Sequence, residues 1–289
     1  MPNITFQGKL IVTGAIEAVT GLHIGGASAG LEIGGIDNPI IRHPVTRQPY
    51  IPGSSLRGKM RGLLDRYYGN DLNKSIRREQ PVVRVHECAT EKDYCSCAVC
   101  QLFGITPGEH RTFSNLMPTR LIVRDAHLLD DVVAETGESE RKQVTRGSIR
   151  WLEAAKTDLP YTEIKWEAAI DRITSAAVPR QNERVPAGAV FAPMEMAVSF
   201  YTNKDASLLP CLFKAMELLE DDYLGGYGSR GAGKVKFRNL NVVLKSHAYY
   251  DGTAEPVELG KALDVEQLRS ADYVTKILEI LGGERDGDV

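Results

Sequence analysis

The sequence has no long hydrophobic run, and this absence bears on where the protein works. None of its apolar stretches reaches the roughly 18 residues that a membrane-spanning helix requires. The residues Met1–Phe6 show neither a positively charged stretch nor an apolar segment, so we expect no secretory signal peptide. We therefore expect a cytoplasmic protein that has no membrane partner.

The sequence also has no excess of positive charge. Its 35 Lys and Arg residues are outnumbered by 38 Asp and Glu residues, which gives a formal net charge of −3. Proteins that scan duplex DNA by charge alone are usually basic. A nucleic-acid site in this chain must therefore be a local basic strip, and a groove that follows a single strand fits this charge better than general attraction to a duplex.

The positions of the cysteines argue against a disulfide framework. Four of the five cysteines lie between positions 88 and 100, and in an intracellular protein such clustering usually indicates zinc, which takes four N or S ligands. We predict one structural zinc ion; the alternatives are reduced thiols in a loop or a redox pair. The spacing of Cys97 and Cys100 makes them the surest pair. One of the candidate ligands is spare, since there are five of them: His86, Cys88, Cys95, Cys97 and Cys100.

A predicted helix at 54–68 begins with two serines and carries cations in its first turns. Unpaired N–H groups at a helix start, together with hydroxyls and cations, favour binding of a phosphate. We predict contacts with an RNA backbone here; the alternative is a solvated basic face. The residues concerned are Ser54, Ser55, Arg57, Lys59 and Arg61.

A second candidate for phosphate binding is the glycine-rich run at 225–233. The spacing from Gly228 to Lys234 fits the start of a P-loop, but Val235 stands where a P-loop has a magnesium-binding hydroxyl. The predicted order, helix then strand, is also the reverse of a P-loop. We therefore predict close approach of an RNA backbone; the alternative is a flexible connection. The predicted contacts are Gly226, Gly228, Arg230, Gly231 and Gly233.

A lone carboxylate, Asp37, lies in the glycine-rich loop Gly34–Pro39. Beside a bound phosphate it would repel the ligand, so its presence is explained if it moves a proton or holds a metal ion during chemistry on the phosphodiester. His23 and His43 flank this loop. They are weaker candidates for proton transfer, because a loop histidine is more often only solvated.

Hydrophobic periodicity predicts the order strand, helix, strands, helix, strand. This order is typical of an α+β protein with a ferredoxin-like or RNA-recognition-like palm. The predicted strands are 9–20, 120–129, 163–172, 190–201 and 234–245, and the predicted helices are 54–68, 206–223 and 258–281. We predict a single domain, 1–289, with an active-site loop at 21–52, a zinc segment at 77–116 and a thumb hairpin at 130–188. The thumb carries Arg172, Arg180 and Arg184, of which we predict Arg180 as an RNA contact, and two tryptophans that are candidates for base stacking or burial, Trp151 and Trp166.

Four segments in this order resemble one family: Gly34–Arg61, Cys97–Gly104, Ile170–Phe191 and Leu224–Val235. The chain resembles the repeated backbone subunit of the type III-A CRISPR Csm complex, in the RAMP superfamily. The resemblance implies that copies of the chain stack head-to-tail along a CRISPR RNA, together with other Csm subunits. It also implies that a thumb kinks the guide at regular intervals and that a complementary target RNA is cut opposite each kink. The catalytic residue would be Asp37, acting with Mg²⁺ or a similar cation and leaving a 2′,3′-cyclic phosphate.

Two other functions stay open. One is a guide-binding scaffold without catalysis, and the other is a stand-alone RAMP nuclease that processes the guide precursor. Asp37 favours an enzyme over a scaffold, because a pure scaffold has no use for an acid beside phosphates. The zinc segment, and the lack of an obvious histidine–tyrosine–lysine constellation, disfavour the processing nuclease.

Overall fold

The computed structural model describes residues 4–26, 38–77, 82–106, 113–129 and 159–282. The strands within these ranges are β1 (Gly8–Ala18), β2 (Tyr50–Ile51), β3 (Lys74–Arg77), β4 (Val83–Val85), β5 (Leu121–Val123), β6 (Ala126–His127), β7 (Glu163–Ile170), β8 (Ala177–Arg184), β9 (Val190–Phe200), β10 (Val235–Ser246) and β11 (Val257–Leu263). The helices are α1 (Gly53–Tyr68), α2 (Glu91–Ser96), α3 (Ala98–Phe103), α4 (Leu209–Asp221), α5 (His247–Tyr250), α6 (Val265–Ser270) and α7 (Tyr273–Ile280), with 3₁₀ turns at Asn203–Leu208 and Gly228–Arg230. Of these helices, none is both long and apolar enough to span a membrane.

A five-stranded antiparallel sheet forms the centre of the protein, in the order β11-β10-β1-β9-β5. The middle strand, β1, pairs with β10 on one side and with β9 on the other. Its apolar residues Leu10, Val12 and Ile16 are fully buried, as the predicted alternation requires. The chain is therefore an α+β protein built on a central antiparallel sheet, as expected from the sequence.

Helices α1 and α4 pack against each other and share one hydrophobic core with the sheet. In α1 the buried residues Leu56, Met60, Leu63 and Leu64 recur at helical spacing, which gives the helix one apolar face. The helix begins close to the end of β5: a Cβ on Gly53 would overlap the carbonyl oxygen of Val123. Only glycine therefore lets the helix start at this place.

The strand predicted at 163–172 is present as β7 and pairs with β8 in a separate hairpin, within the stretch predicted as the thumb, 130–188. Two predicted elements differ in the structure. The stretch at 120–129 forms two short strands, because β5 pairs with β9 whereas β6 pairs with β2.

The predicted C-terminal helix at 258–281 is wrong. This region forms the edge strand β11 and then two short helices, α6 and α7. Each helix has its own start, since Asp264 caps α6 with Gln267 in a capping box and the Asp272 carboxylate accepts the Thr275 N–H. Extended backbone at Ala271 separates the two helices, so the apolar periodicity belongs to two helices and not to one.

The hairpin β7–β8 has an ordered, solvent-facing tip. The carboxylate of Asp171 accepts hydrogen bonds from Thr174 and from the backbone N–H of Ile173, and the bonds from Thr174 do most to lower the pKa of this carboxyl. Ile173 is 93% exposed and Trp166 is 64% exposed, so apolar surface extends along the hairpin. Trp151, the other predicted stacking candidate, lies outside the described residues.

A buried ion pair joins the predicted zinc segment, 77–116, to the central sheet. Arg120, just before β5, contacts the carboxylate of Asp205 at 2.9 Å and donates a hydrogen bond to the Tyr94 hydroxyl at 2.8 Å. Asp205 also accepts the backbone N–H groups of Tyr201 and Thr202. Both charged side chains are at most 3% exposed, so each depends on the other for compensation of its charge.

We expect Asp205→Ala to lower the free energy of unfolding by about 3–5 kcal/mol, because it leaves the Arg120 guanidinium buried without a counter-charge. Urea unfolding followed by circular dichroism measures this. The matched control is Glu17→Ala, which removes the partner of the half-exposed Arg238 and should cost no more than about 1 kcal/mol. Equal losses in the two variants would contradict a special role for the buried pair.

Candidate metal centre and RNA-facing loops

Four of the five predicted metal ligands converge. One ligand atom from each of His86, Cys88, Cys97 and Cys100 lies within 4.8 Å of all the others. Cys88 and Cys100 are buried, whereas Cys95 is exposed and does not belong to this group. The geometry therefore selects three sulfurs and one imidazole, a donor set that suits zinc.

The imidazole of His86 is oriented by a second interaction. Its Nδ1 lies 3.0 Å from the carbonyl oxygen of Asp71, and Nε2 lies 3.6 Å from the sulfur of Cys88 and 3.7 Å from that of Cys97. A carbonyl can only accept, so Nδ1 carries the proton and Nε2 presents its lone pair to the sulfurs. This is the tautomer that a metal ligand needs.

Cys97 occupies the junction of two short helices. It ends α2 and begins α3, where its sulfur accepts the backbone N–H of Cys100. The hydrogen bond with the Cys100 thiol, followed by that backbone N–H, lowers the pKa of Cys97 to about 5, whereas burial raises the pKa of Cys88 to about 11. The group therefore holds one thiolate readily, and a cation would favour loss of the other two thiol protons.

The cations predicted to contact RNA on α1 all have partners within the chain. Arg57 donates to the carbonyl of Phe103, and burial lowers the pKa of its guanidinium. Arg61 donates to the carbonyl of His86 at 2.8 Å. Lys59 contacts the Asp222 carboxylate at 3.0 Å. These three side chains hold α1 against the predicted zinc segment and the C-terminal end of α4, so any contact with RNA would be an additional role.

The serines at the start of α1 are accessible. Ser54 is exposed and Ser55 is partly exposed. Asp125 lies beside them, because its carboxylate accepts the backbone N–H of Gly53 at 2.7 Å. Sequence reasoning did not predict that Asp125 lies at the start of α1. The local sequence shows only that a polar residue interrupts the apolar pattern between β5 and β6.

Close contacts within the chain account for most of the glycine-rich run. A Cβ on Gly225 would overlap the carbonyl of His23, one on Gly228 would overlap the Tyr223 ring, and one on Gly233 would overlap the carbonyl of Leu224. The backbone N–H of Gly226 donates to the same His23 carbonyl. At Gly231 a Cβ would meet nothing, and glycine is favoured there by its φ of +81°.

Asp37 lies outside the described residues, but the chain on both sides of its loop is described. Gly25 pairs with Ile40, and the N–H of Ile41 donates to the carbonyl of Ile24 at 2.8 Å. Residues 27–37, which include Asp37, are therefore closed off by one short antiparallel pairing within the predicted active-site loop. Asn38, the residue after Asp37, donates from its side-chain amide to Asn182 of β8 at 3.0 Å.

A buried carboxylate, that of Glu183, fixes this return point. It accepts the backbone N–H of Ile40 at 2.9 Å and the hydroxyl of Thr162 at 2.7 Å, and it pairs with Arg42 at 2.5 Å. Sequence reasoning missed the roles of Glu183 and Asn182, since their bonds to Ile40 and Asn38 join residues more than 100 positions apart in the sequence.

The two histidines within the predicted active-site loop, His23 and His43, differ in environment. His23 is buried, with Nδ1 2.6 Å from the carbonyl of Glu183 and its ring 4.7 Å from that of Tyr227, so it is not a solvated loop residue. The Nδ1 atom of His43 accepts the backbone N–H groups of Val45 and Thr46. Both rings are thus held by local contacts.

Comparison with known proteins gives concordant matches. The RAMP superfamily model matches residues 15–236. The chain is 39% identical over 255 residues to the protein named CRISPR system Cms endoribonuclease Csm3 of Methanocaldococcus jannaschii, covering 87% of this chain and 88% of that protein. It is 41% identical over 266 residues to the protein of the same name from Methanothermobacter thermautotrophicus, covering 88% of this chain and 94% of that one.

Two solved structures are similar over nearly their whole length. The crystal structure of a Csm3–Csm4 subcomplex in the type III-A CRISPR-Cas interference complex matches with a TM-score of 0.54 and 28% identity, covering 94% of this chain and 97% of that one. The Methanopyrus kandleri Csm3 crystal structure matches with a TM-score of 0.56 and covers 98% of this chain and 100% of that one. At 22% identity the second likeness bears on the fold alone.

We expect Gly225→Ala to lower the free energy of unfolding by about 1–3 kcal/mol, because it combines a strained positive φ with overlap of the His23 carbonyl. The matched control is Gly62→Ala inside α1, where a Cβ meets nothing and alanine should stabilise the helix by about 0.5–1 kcal/mol. Thermal unfolding of the two variants measures the difference. If Gly225→Ala unfolds like the parent chain, internal packing is not the reason for glycine there.

Proposed function

Because the chain belongs to the RAMP superfamily and, within it, to the Csm3 family of CRISPR endoribonucleases, we propose that it is the guide-RNA-binding backbone subunit of a type III-A interference complex. In this proposal it binds a CRISPR RNA along a head-to-tail row of its own copies, contacts other Csm subunits, and cuts complementary target RNA at regular intervals. The central antiparallel sheet with α1 and α4 is the palm, and the β7–β8 hairpin is part of the thumb.

The observation that carries the proposal is the anchoring of the Asp37 loop at the base of the hairpin. Asp37 is bonded to Asn38, so their Cα atoms are about 3.8 Å apart. Asn38 contacts Asn182 through its side chain, and its carbonyl accepts the N–H of Glu183 at 3.2 Å. Asp37 is thus covalently joined to a residue that is fixed at the base of the projecting hairpin. In this proposal, an RNA backbone deformed by the thumb is cut at that place.

The reaction we propose is transesterification within the RNA. The 2′-oxygen attacks the adjacent phosphorus and the bond from phosphorus to the 5′-oxygen breaks, which leaves a 2′,3′-cyclic phosphate and a 5′-hydroxyl. Asp37 takes the proton from the 2′-hydroxyl, gives one to the leaving oxygen, or binds a divalent cation. Mg²⁺ is the cation we propose, because carboxylate oxygens are the ligands it prefers.

We propose that the RNA contacts lie on exposed parts of the loops and the hairpin. Ser54 and Ser55 at the start of α1 and Arg180 on β8 are accessible. In the glycine-rich run, Arg230 is about half exposed and Gly231 faces open space. Aromatic and apolar side chains of the hairpin, such as Trp166, would meet bases, and the serines and arginines would meet phosphates.

We propose that His86, Cys88, Cys97 and Cys100 hold one structural zinc ion. The fit rests on their convergence within 4.8 Å and on the tautomer of His86. Four protein ligands leave no position for a reacting water, so the ion stabilises the segment and takes no part in cleavage. It would fix the corner between α2 and α3 against α1.

Zinc content and stability should separate the four converging residues from the fifth candidate. Cys100→Ser should reduce bound zinc well below one ion per chain and lower the melting temperature, because the metal site and the fold are coupled. Cys95→Ser is the matched control and should keep both values, since Cys95 is exposed and outside the group. Atomic-emission analysis and thermal melts measure this. Full zinc content in Cys100→Ser would contradict the assignment.

Asp37→Ala should assemble and bind guide normally while losing cleavage of a complementary RNA. A proton-transfer role is worth about 10²–10⁴-fold, so a small residual rate is expected. Single-turnover cleavage of labelled target, with and without Mg²⁺, measures the loss. Asp251→Ala, at an exposed carboxylate after α5, is the control and should cut normally.

A target with a single 2′-deoxy nucleotide at the scissile position should resist cleavage by the parent particle, because no 2′-oxygen is present to attack. Normal cleavage by Asp37→Ala particles would remove Asp37 from the mechanism. Cleavage of the 2′-deoxy target would refute transesterification.

A further inference from the structure

A network of four connected side chains runs from the Asp37 loop to the glycine-rich run. The Asn38 amide donates to Asn182 at 3.0 Å, and the Asn182 amide donates to Glu167 at 3.1 Å. The same oxygen of Glu167 contacts the guanidinium of Arg230 at 3.0 Å. This network of side chains crosses from one strand of the hairpin to the other, because Glu167 lies on β7 and Asn182 on β8.

The hairpin register explains why Asn182 reaches Glu167. Lys165 pairs with Asn182 and Glu167 pairs with Arg180. Asn182 and Glu167 are therefore diagonal neighbours on one face of the hairpin, which is within reach for these side chains. Trp166 and Gln181 alternate to the other face.

Hydrogen-bond chemistry fixes the direction of every link. Arg230 can only donate, and an ionised Glu167 can only accept. Burial acts to raise the pKa of Glu167, but the hydrogen bond from Lys165 and the nearby positive charges outweigh it and lower the pKa, so the carboxylate stays charged. The amide nitrogen of Asn182 must then face Glu167, and its oxygen must accept from Asn38.

The network depends on Asn182, which is bonded to both Asn38 and Glu167. Its residue is only 3% exposed, and its amide meets one partner on each side. An apolar side chain, an ionised carboxylate or a Lys or Arg cation cannot accept from Asn38 and donate to Glu167 at once. A buried asparagine with both bonds made holds its neighbours in one arrangement.

We infer that Asn182 is a positioning residue for cleavage: its side chain fixes Asn38, the covalent neighbour of Asp37, relative to the hairpin and to Arg230. This inference rests on the proposed role of Asp37. Asn182 touches no reacting atom in this scheme. A shift of about 1 Å in a catalytic group can cost about 10²-fold in rate, so loosening Asn38 should slow the chemical step without weakening the binding of guide or target.

The test exchanges the two polar groups of the link. Asn182→Asp removes the donor to Glu167 and places two carboxylates side by side, so the cleavage rate at saturating target should fall about 10- to 100-fold. In Asn182→Asp/Glu167→Gln the new carboxylate can accept from Asn38 and from the new amide, whose oxygen can accept from Arg230. The total charge is that of the parent chain, and the rate should return to near the parent value.

The readouts separate positioning from a general loss of structure. Assembled particles of each variant are assayed for guide affinity, target affinity, melting temperature and single-turnover cleavage. The matched control is Asn241→Asp, the same change at a part-buried asparagine that bonds Asn239 and Ala262 at the sheet edge. It should reduce stability and leave the cleavage rate unchanged.

The positioning role is overturned if Asn182→Asp particles cut at the parent rate while Asp37→Ala particles do not cut. It is also overturned if the rate falls only in step with guide affinity or melting temperature, or if the double variant shows no recovery. Asp37→Ala particles that cut normally would instead overturn the proposed function. The two failures are therefore distinguishable in one set of particles.

Discussion

The buried carboxylate of Glu183 holds together the part of the molecule on which the proposed chemistry depends. Its three donors are the backbone N–H of Ile40 after the Asp37 loop, the guanidinium of Arg42 two residues later, and the hydroxyl of Thr162 in the segment that leads into the hairpin. A buried charge is costly unless every lone pair is occupied, and here an arginine supplies the counter-charge. The residues that follow the Asp37 loop are thereby fixed to the base of the hairpin.

The predicted zinc segment is tied to the rest of the protein in a comparable way. Arg120 reaches Tyr94 of α2 and Asp205 of the 3₁₀ turn before α4, while Arg57 and Arg61 reach it from α1. Guanidinium groups suit this task because they offer several donors in a fixed plane. Three arginines of an acidic chain are thus used for internal connection, which leaves fewer cations for RNA than the composition suggests.

Local patterns predicted what depends on local contacts. The alternation in β1 and the apolar spacing in α1 gave elements close to the observed ones, and the crowded cysteines gave the converging ligand group. Pairing partners were beyond such patterns, so nothing local indicated that β5 pairs with β9 whereas β6 pairs with β2. Glu183 and Asn182 could not be found because nothing near them in the sequence distinguishes a buried, fully bonded polar residue from one in a surface loop. Asp37 was singled out by its chemistry and by the family resemblance, and its catalytic role stays a prediction.

The position of β1 also sets the order in which the protein can form. This strand is made first, yet its two neighbours, β9 and β10, lie between residues 190 and 246. At a synthesis rate of about 5–20 residues per second, the strand waits on the order of ten seconds or more before a partner emerges from the ribosome. Until then β1 has neither of its neighbouring strands to pair with. Nascent chains are therefore most prone to aggregate before β9 and β10 are made.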